Sequence, residues 1–104
     1  ESPELADARR DRKADRQRAA EIRTLLRPLK KQIEKLEGEI TKLEQQKRSI
    51  EEQLADPAIY DASNKGKLAE LLKQQGAVSA SLEEKELAWM DISEQMQQME
   101  KELS

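Results

Sequence analysis

Ten cations stand close together near the start of the chain: Arg9, Arg10, Arg12, Lys13, Arg16, Arg18, Arg23, Arg27, Lys30 and Lys31, against the three acids Asp11, Asp15 and Glu21. Seven of the ten are arginines, whose planar forks make paired hydrogen bonds to phosphate oxygens, so the chemistry on offer is phosphate binding. The stretch has no aromatic side chain for base stacking. It can follow the backbone and shape of a polyanion rather than its base sequence. Read as a helix, Arg9, Arg12, Lys13, Arg16, Arg23, Arg27, Lys30 and Lys31 step by three and four, a positive stripe interrupted at Ala20. The competing reading is a solvated linker, or a set of ion pairs to the acidic remainder of the chain.

No other chemistry is apparent. The chain has neither His nor Cys, so a histidine base, a thiolate nucleophile and the usual zinc ligand sets are unavailable. There is no glycine-rich phosphate loop. The acid pairs, Glu51 with Glu52 and the run Glu83, Glu84 and Glu86, read as solvated helix surface rather than as general acids or metal ligands. No catalytic residue, metal site or cofactor is therefore expected within this chain, and the fragment is not expected to be an enzyme. No apolar run is long enough for a membrane span, and no signal-peptide succession is present, so no membrane partner and a cytoplasmic location are expected. The opening residues, ESPEL, read as the edge of a domain cut from a longer protein.

The elements that must position the cations follow from composition and period. Of 104 residues, 39% are charged, with one Trp, one Tyr and no Phe. Ala, Glu, Lys, Leu, Arg and Gln dominate, which favours long helices over a globular core. The net charge of −3 hides a strong partition: residues 9–31 carry +7 while residues 32–104 carry −7, and the first eight residues hold three acids. This is a basic arm on an acidic body.

Two heptad seams run through that body. The first is Ile22, Leu26, Leu29, Ile33, Leu36, Ile40, Leu43, Lys47, Ile50 and Leu54. The second is Leu68, Leu71, Gln75, Val78, Leu82, Lys85, Trp89, Ile92, Met96, Met99 and Leu103. Between them lies ADPAIYDASNKG, where Pro57 ends the first helix and Ser63 or Asp61 can cap the second. Folding the chain back places a positions opposite d positions in one register, with Leu54 facing Leu71, Leu43 facing Leu82 and Leu36 facing Trp89. Lys47 then faces Val78 and Lys85 faces Ile40, so the two lysines occupy separate layers with stems packed and ammonium groups in water. A parallel dimer would set each lysine against its own copy, which disfavours it and leaves a dimer of hairpins as the alternative to a monomer. The expectation is an all-α, monomeric, two-helix antiparallel coiled-coil hairpin over residues 28–104, with its turn at about 55–64, preceded by a partly disordered or helical arm over residues 1–27.

Finer expectations attach to single residues. The helices should span about 28–55 and 64–102, with Pro28 at an outward position either starting the first or kinking it. Residues 1 to about 20 should fray, because their seam face is poorly apolar. Ile59 and Tyr60 should cover the closed end of the seam. Leu87 and Met90 should project outward, and Gly38 and Gly76 fall on exposed helix positions where each costs about 1 kcal/mol relative to Ala.

The run IEKLEGEITKLEQQKRSIEEQLADPAIYDASNKGKLAEL, the turn LADPAIYD at residues 54–61, and the later LEEKELAW with Leu82, Glu83, Glu86 and Trp89 together resemble the C-terminal coiled-coil domain of ABC-F ATP-binding cassette proteins of the Uup and YheS type. The resemblance covers about residues 10–104. It implies a parent with two ATPase cassettes, so ATP would bind in domains absent from this chain. It also implies a soluble protein rather than a transporter. Many members act on ribosomes in translation, and the corresponding domain of the Uup type is associated with DNA. The expected partner of the ten cations is accordingly nucleic acid, either DNA or the rRNA and tRNA of a ribosome. The alternative is a spacer or protein-interaction hairpin without nucleic-acid binding.

Overall fold

The computed structural model describes residues 2–104. Two helices account for nearly all of them: α1, Pro3–Ala55, and α2, Lys65–Leu103. They lie side by side in opposite directions, and the molecule measures 88 × 20 × 14 Å. A helix of α1's length rises about 80 Å and is about 10–12 Å across. The long axis is thus set by α1 and the cross-section by two helices.

The arm is helical. The first helix does not begin near residue 28, as the sequence suggested; it begins at Pro3 and runs through Pro28. Local chemistry supports this start: the Ser2 hydroxyl accepts from the Leu5 amide at 3.3 Å, and Pro3 needs no amide hydrogen in the first turn. Pro28 removes the one backbone bond that would reach the Thr24 carbonyl. Its side chain is exposed, where the ring meets no neighbouring helix. The Ala, Arg, Gln and Lys residues before it are strong helix formers, and the paired part of α1 supplies the nucleus from which they extend.

Both seams are where the heptads place them. Every seam residue named above is buried or half-buried except Lys47, which is exposed. Cross-helix contacts hold the same register. Lys85 meets Glu39 at 2.6 Å and Trp89 meets Glu37 at 3.2 Å, residue pairs totalling 124 and 126 beside the constant 125 of the a-to-d layers. The core is thin. Its buried members among the described residues are Ile33, Ile50, Ile59, Leu71 and Leu82, and none is fully buried. Ile50, Ile59 and Leu71 touch one another at the closed end, with Leu54, Leu68 and Val78 packed around them.

The turn consists of two short 3₁₀ segments, Pro57–Tyr60 and Ala62–Asn64. Asp56 opens it, its carboxylate accepting from the Ala58 amide at 3.0 Å. Two expectations are corrected here. Ile59 does plug the seam, but Tyr60 is 61% exposed: its hydroxyl donates to the Leu54 carbonyl at 2.7 Å, satisfying one of the carbonyls α1 leaves open at its end. Neither Ser63 nor Asp61 caps α2. Asn64 occupies that position and makes no side-chain cap bond to the helix; its amide turns back to the Ala58 carbonyl at 2.7 Å. The 3₁₀ turn at Ala62–Asn64 feeds directly into α2, so the extended Asp61 heads that turn, without a side-chain cap bond, instead of the first turn of α2.

Candidate nucleic-acid interface

The register that closes the hairpin also determines which cations lie beside α2. Leu103, the last residue of α2, belongs opposite Ile22, so among the described residues no helix lies beside α1 before Ile22. Arg18 marks the junction, its guanidinium donating to the Leu103 carbonyl at 2.9 Å. A cation there also complements the negative end of the α2 dipole. Beyond that point the arm is a single helix about 28 Å long.

All ten candidate cations are exposed, but they fall into separate groups. Arg9, Arg12, Lys13 and Arg16 line one shallow depression on the arm. Spacings of three and four bring them onto one face within two turns. Arg10 is turned aside, paired with Asp7 at 2.5 Å, and Arg12 also donates from Nε to the Ala8 carbonyl at 3.3 Å. Arg23, Arg27 and Lys30 line a second depression with Leu26, Met96 and Glu100, beside the open end of the hairpin. Lys31 lies outside both. The single stripe of the sequence reading is therefore two clusters, one on a lone helix and one beside the paired seam.

The lone cluster suits a phosphate chain. Four exposed cations on one helix face can meet successive phosphates. The second cluster carries Glu100 among its lining residues, which weakens its field for an anion. Among the described residues no group of His, Cys, Asp and Glu could hold a metal ion, and no helix is long and apolar enough to cross a membrane.

The body shows how its own charges are used. Lys85 and Glu39 form an ion pair across the seam. The Lys85 hydrogen bond, with the Lys85 and Lys35 charges, holds the Glu39 carboxyl below its ordinary value against a smaller opposing effect of desolvation. The hydrogen bond and charge of Glu39 in turn raise the Lys85 ammonium. Trp89, half-buried on the seam, donates from its indole to the Glu37 carboxylate. Sequence reasoning missed both partners and the Arg18 bond to α2. The signal was present in the register, which brings Lys85 beside Ile40 and hence next to Glu39.

The family described as "ABC transporter C-terminal domain" matches residues 24–94. The chain is 42% identical over 99 residues to the probable ATP-binding protein YheS of Escherichia coli strain K12, covering 95% of this chain and 15% of that protein. A similar likeness, 41% over the same length, holds for YheS of Escherichia coli O6:H1. The chain thus spans about 15% of the length of these curated relatives, and no solved structure matches it. Arg9, Arg12, Lys13 and Arg16 precede the family match, whereas the hairpin lies almost wholly within it. With most of its length in that match and its long likeness to YheS, this chain belongs to the ABC transporter C-terminal domain family, in its ABC-F type.

Proposed function

We propose that this domain is the accessory nucleic-acid-contacting element of a cytoplasmic ABC-F ATPase, laying its helical arm along a phosphate backbone while the acidic hairpin holds the arm in place. One observation supports the reading above others: Arg9, Arg12, Lys13 and Arg16, all exposed, line one depression on a single helix face. The polymer is duplex DNA or the structured RNA of a ribosome, and binding follows backbone and shape. ATP is bound by the parent's cassettes, not by this domain, and the hairpin needs no cofactor to fold.

Phosphate contact releases counterions, so affinity should fall with salt at a log-log slope of about −3 to −6 if four to seven cations engage duplex DNA. Replacing Arg9, Arg10, Arg12, Lys13, Arg16 and Arg18 by Gln should flatten the slope and weaken binding. Hairpin stability should change little, because the six lie before Ile22, outside the paired seam, with Arg18 bonded to the last residue of α2. Titrations of both proteins against duplex DNA and structured RNA at several salt concentrations test this. Equal affinities and slopes would reduce the arm to a solubilising linker and favour the spacer reading.

A further inference from the structure

Near the open end of the hairpin, charges of both signs converge on an apolar floor shared by the two helices. Arg23, Arg27 and Lys30 of α1 and Glu100 of α2 line the depression there, together with Leu26 and Met96. The four charged residues are exposed and the two apolar ones half-buried. Among the described residues the Glu100 carboxylate forms an ion pair with none of the three cations. Three cations suit a phosphate, yet a bare phosphate or an acidic peptide is repelled by a carboxylate beside it. The mixture fits a ligand that carries an anion and N–H donors on an apolar body, which is the chemistry of a nucleotide.

We propose that this depression reads one unpaired guanine of a nucleic-acid strand, an inference that rests on the nucleic-acid reading above and adds a base contact to it. Arg23, Arg27 and Lys30 hold the phosphates on either side of the base, the arginines through paired hydrogen bonds. The ring lies on Leu26 and on the Met96 thioether, since methionine sulfur makes favourable contacts with aromatic rings. Glu100 accepts from the Watson–Crick edge, its ionised carboxylate being an acceptor with two oxygens and no donor. Guanine alone among the bases sets two adjacent donors there, N1–H and the N2 amino group. Adenine and cytosine offer one amino group beside an acceptor nitrogen, and uracil one N–H between two carbonyl oxygens.

Size and position agree with a single base. The depression encloses about 260 Å³, below the about 300–1,000 Å³ of pockets for drug-sized ligands, and so accommodates one ring system. Arg16 and Arg23 are seven residues apart, two turns of α1 and about 10 Å, so a strand held by Arg9, Arg12, Lys13 and Arg16 continues onto the same face. The basic stretch has no aromatic ring on which a base could rest; α2 supplies that platform through Met96. A duplex keeps its guanine edges paired and its bases stacked, so the depression favours structured RNA with unpaired bases over duplex DNA.

The test titrates the whole chain, by fluorescence anisotropy at one ionic strength, with short oligouridylates carrying a single central guanosine, inosine, adenosine, cytidine or uridine. Wild type should prefer guanosine to uridine by about fivefold or more, the lower end of what a two-bond base contact discriminates. It should lose most of that preference with inosine, which lacks only the N2 amino group. Glu100→Gln should bring guanosine, inosine and uridine to equal affinity, because its amide presents a donor where a second acceptor is needed. Removal of a charge alone would instead tighten every ligand alike and preserve their ratios, and that result would overturn the proposal. Equal binding of all five strands by wild type, with affinity still falling with salt, would overturn base reading and leave the backbone contact standing. A guanosine preference kept at undiminished affinity when Arg9, Arg10, Arg12, Lys13, Arg16 and Arg18 are replaced by Gln would support the depression and remove the arm from the interface. No binding of any strand would overturn both readings. Tighter binding of a Leu-containing acidic peptide than of the guanosine strand would assign the depression to a protein partner and overturn this one.

Discussion

Leu71 and Leu72 are neighbours in sequence and opposites in the fold, which makes them a test of the seam. Leu71 is 4% exposed and Leu72 is 51% exposed. Leu71→Ala deletes three carbons from the cluster of Ile50, Ile59 and Leu71. At about 0.8 kcal/mol per buried methylene this is about 2.4 kcal/mol, to which a cavity adds. A two-helix rod is open along both flanks and can collapse toward the gap, so the cost should be about 2–3 kcal/mol. Leu72→Ala loses packing only in part and gains helix propensity, and should fall within about 0.5 kcal/mol of wild type. Urea unfolding followed by far-UV circular dichroism and by Trp89 fluorescence measures both. Trp89 lies about 27 Å along α2 from Leu71, so loss of both signals at one shifted midpoint shows that the hairpin unfolds as a unit. Equal costs at the two positions, or a larger one at Leu72, would mean that α2 is rotated away from the described seam.

Gly38→Ala and Gly76→Ala should each stabilise the hairpin by about 0.5–1 kcal/mol, since an added Cβ meets nothing within 4 Å at either site; thermal melts of the single and double variants check this and its additivity. Lys47, exposed on the seam, should gain about 1 kcal/mol on replacement by Leu through added apolar burial, and a lowered urea midpoint would reveal a partner for its ammonium. The Glu39 to Lys85 pair should contribute stability above the ordinary glutamate value of 4.5, lost as pH falls through the lowered folded value. On the basic side its contribution is present below 10.5 and lost as pH rises past the raised Lys85 value. Glu39→Gln should remove that acid-side loss whereas Glu34→Gln, at a residue without an ion pair among the described residues, should leave it, in urea titrations across pH.

Periodicity carried the seam, the turn and the antiparallel register into view before any coordinates, because a heptad repeat states which face of a helix is covered and a proline states where it ends. The chain's lack of His, Cys and glycine-rich loops likewise directed attention to the cations from composition alone. Other features depended on three-dimensional neighbours. Tyr60 could as well have covered the seam as tied down the Leu54 carbonyl, since an aromatic with a polar tip serves either purpose and only the path of the 3₁₀ turn chooses. Pro28 looked like a boundary because proline costs one backbone bond locally; the bonds on either side and an outward ring let α1 pass through it. The ten cations looked like one stripe because spacing along a helix is blind to a neighbouring helix. The register, with Arg18 bonded to the Leu103 carbonyl, sets Arg23, Arg27 and Lys30 in a depression shared with Met96 and Glu100 of α2, while Arg9, Arg12, Lys13 and Arg16 line another on α1 alone. That division is a property of two helices and one register together, which no stretch of sequence contains by itself.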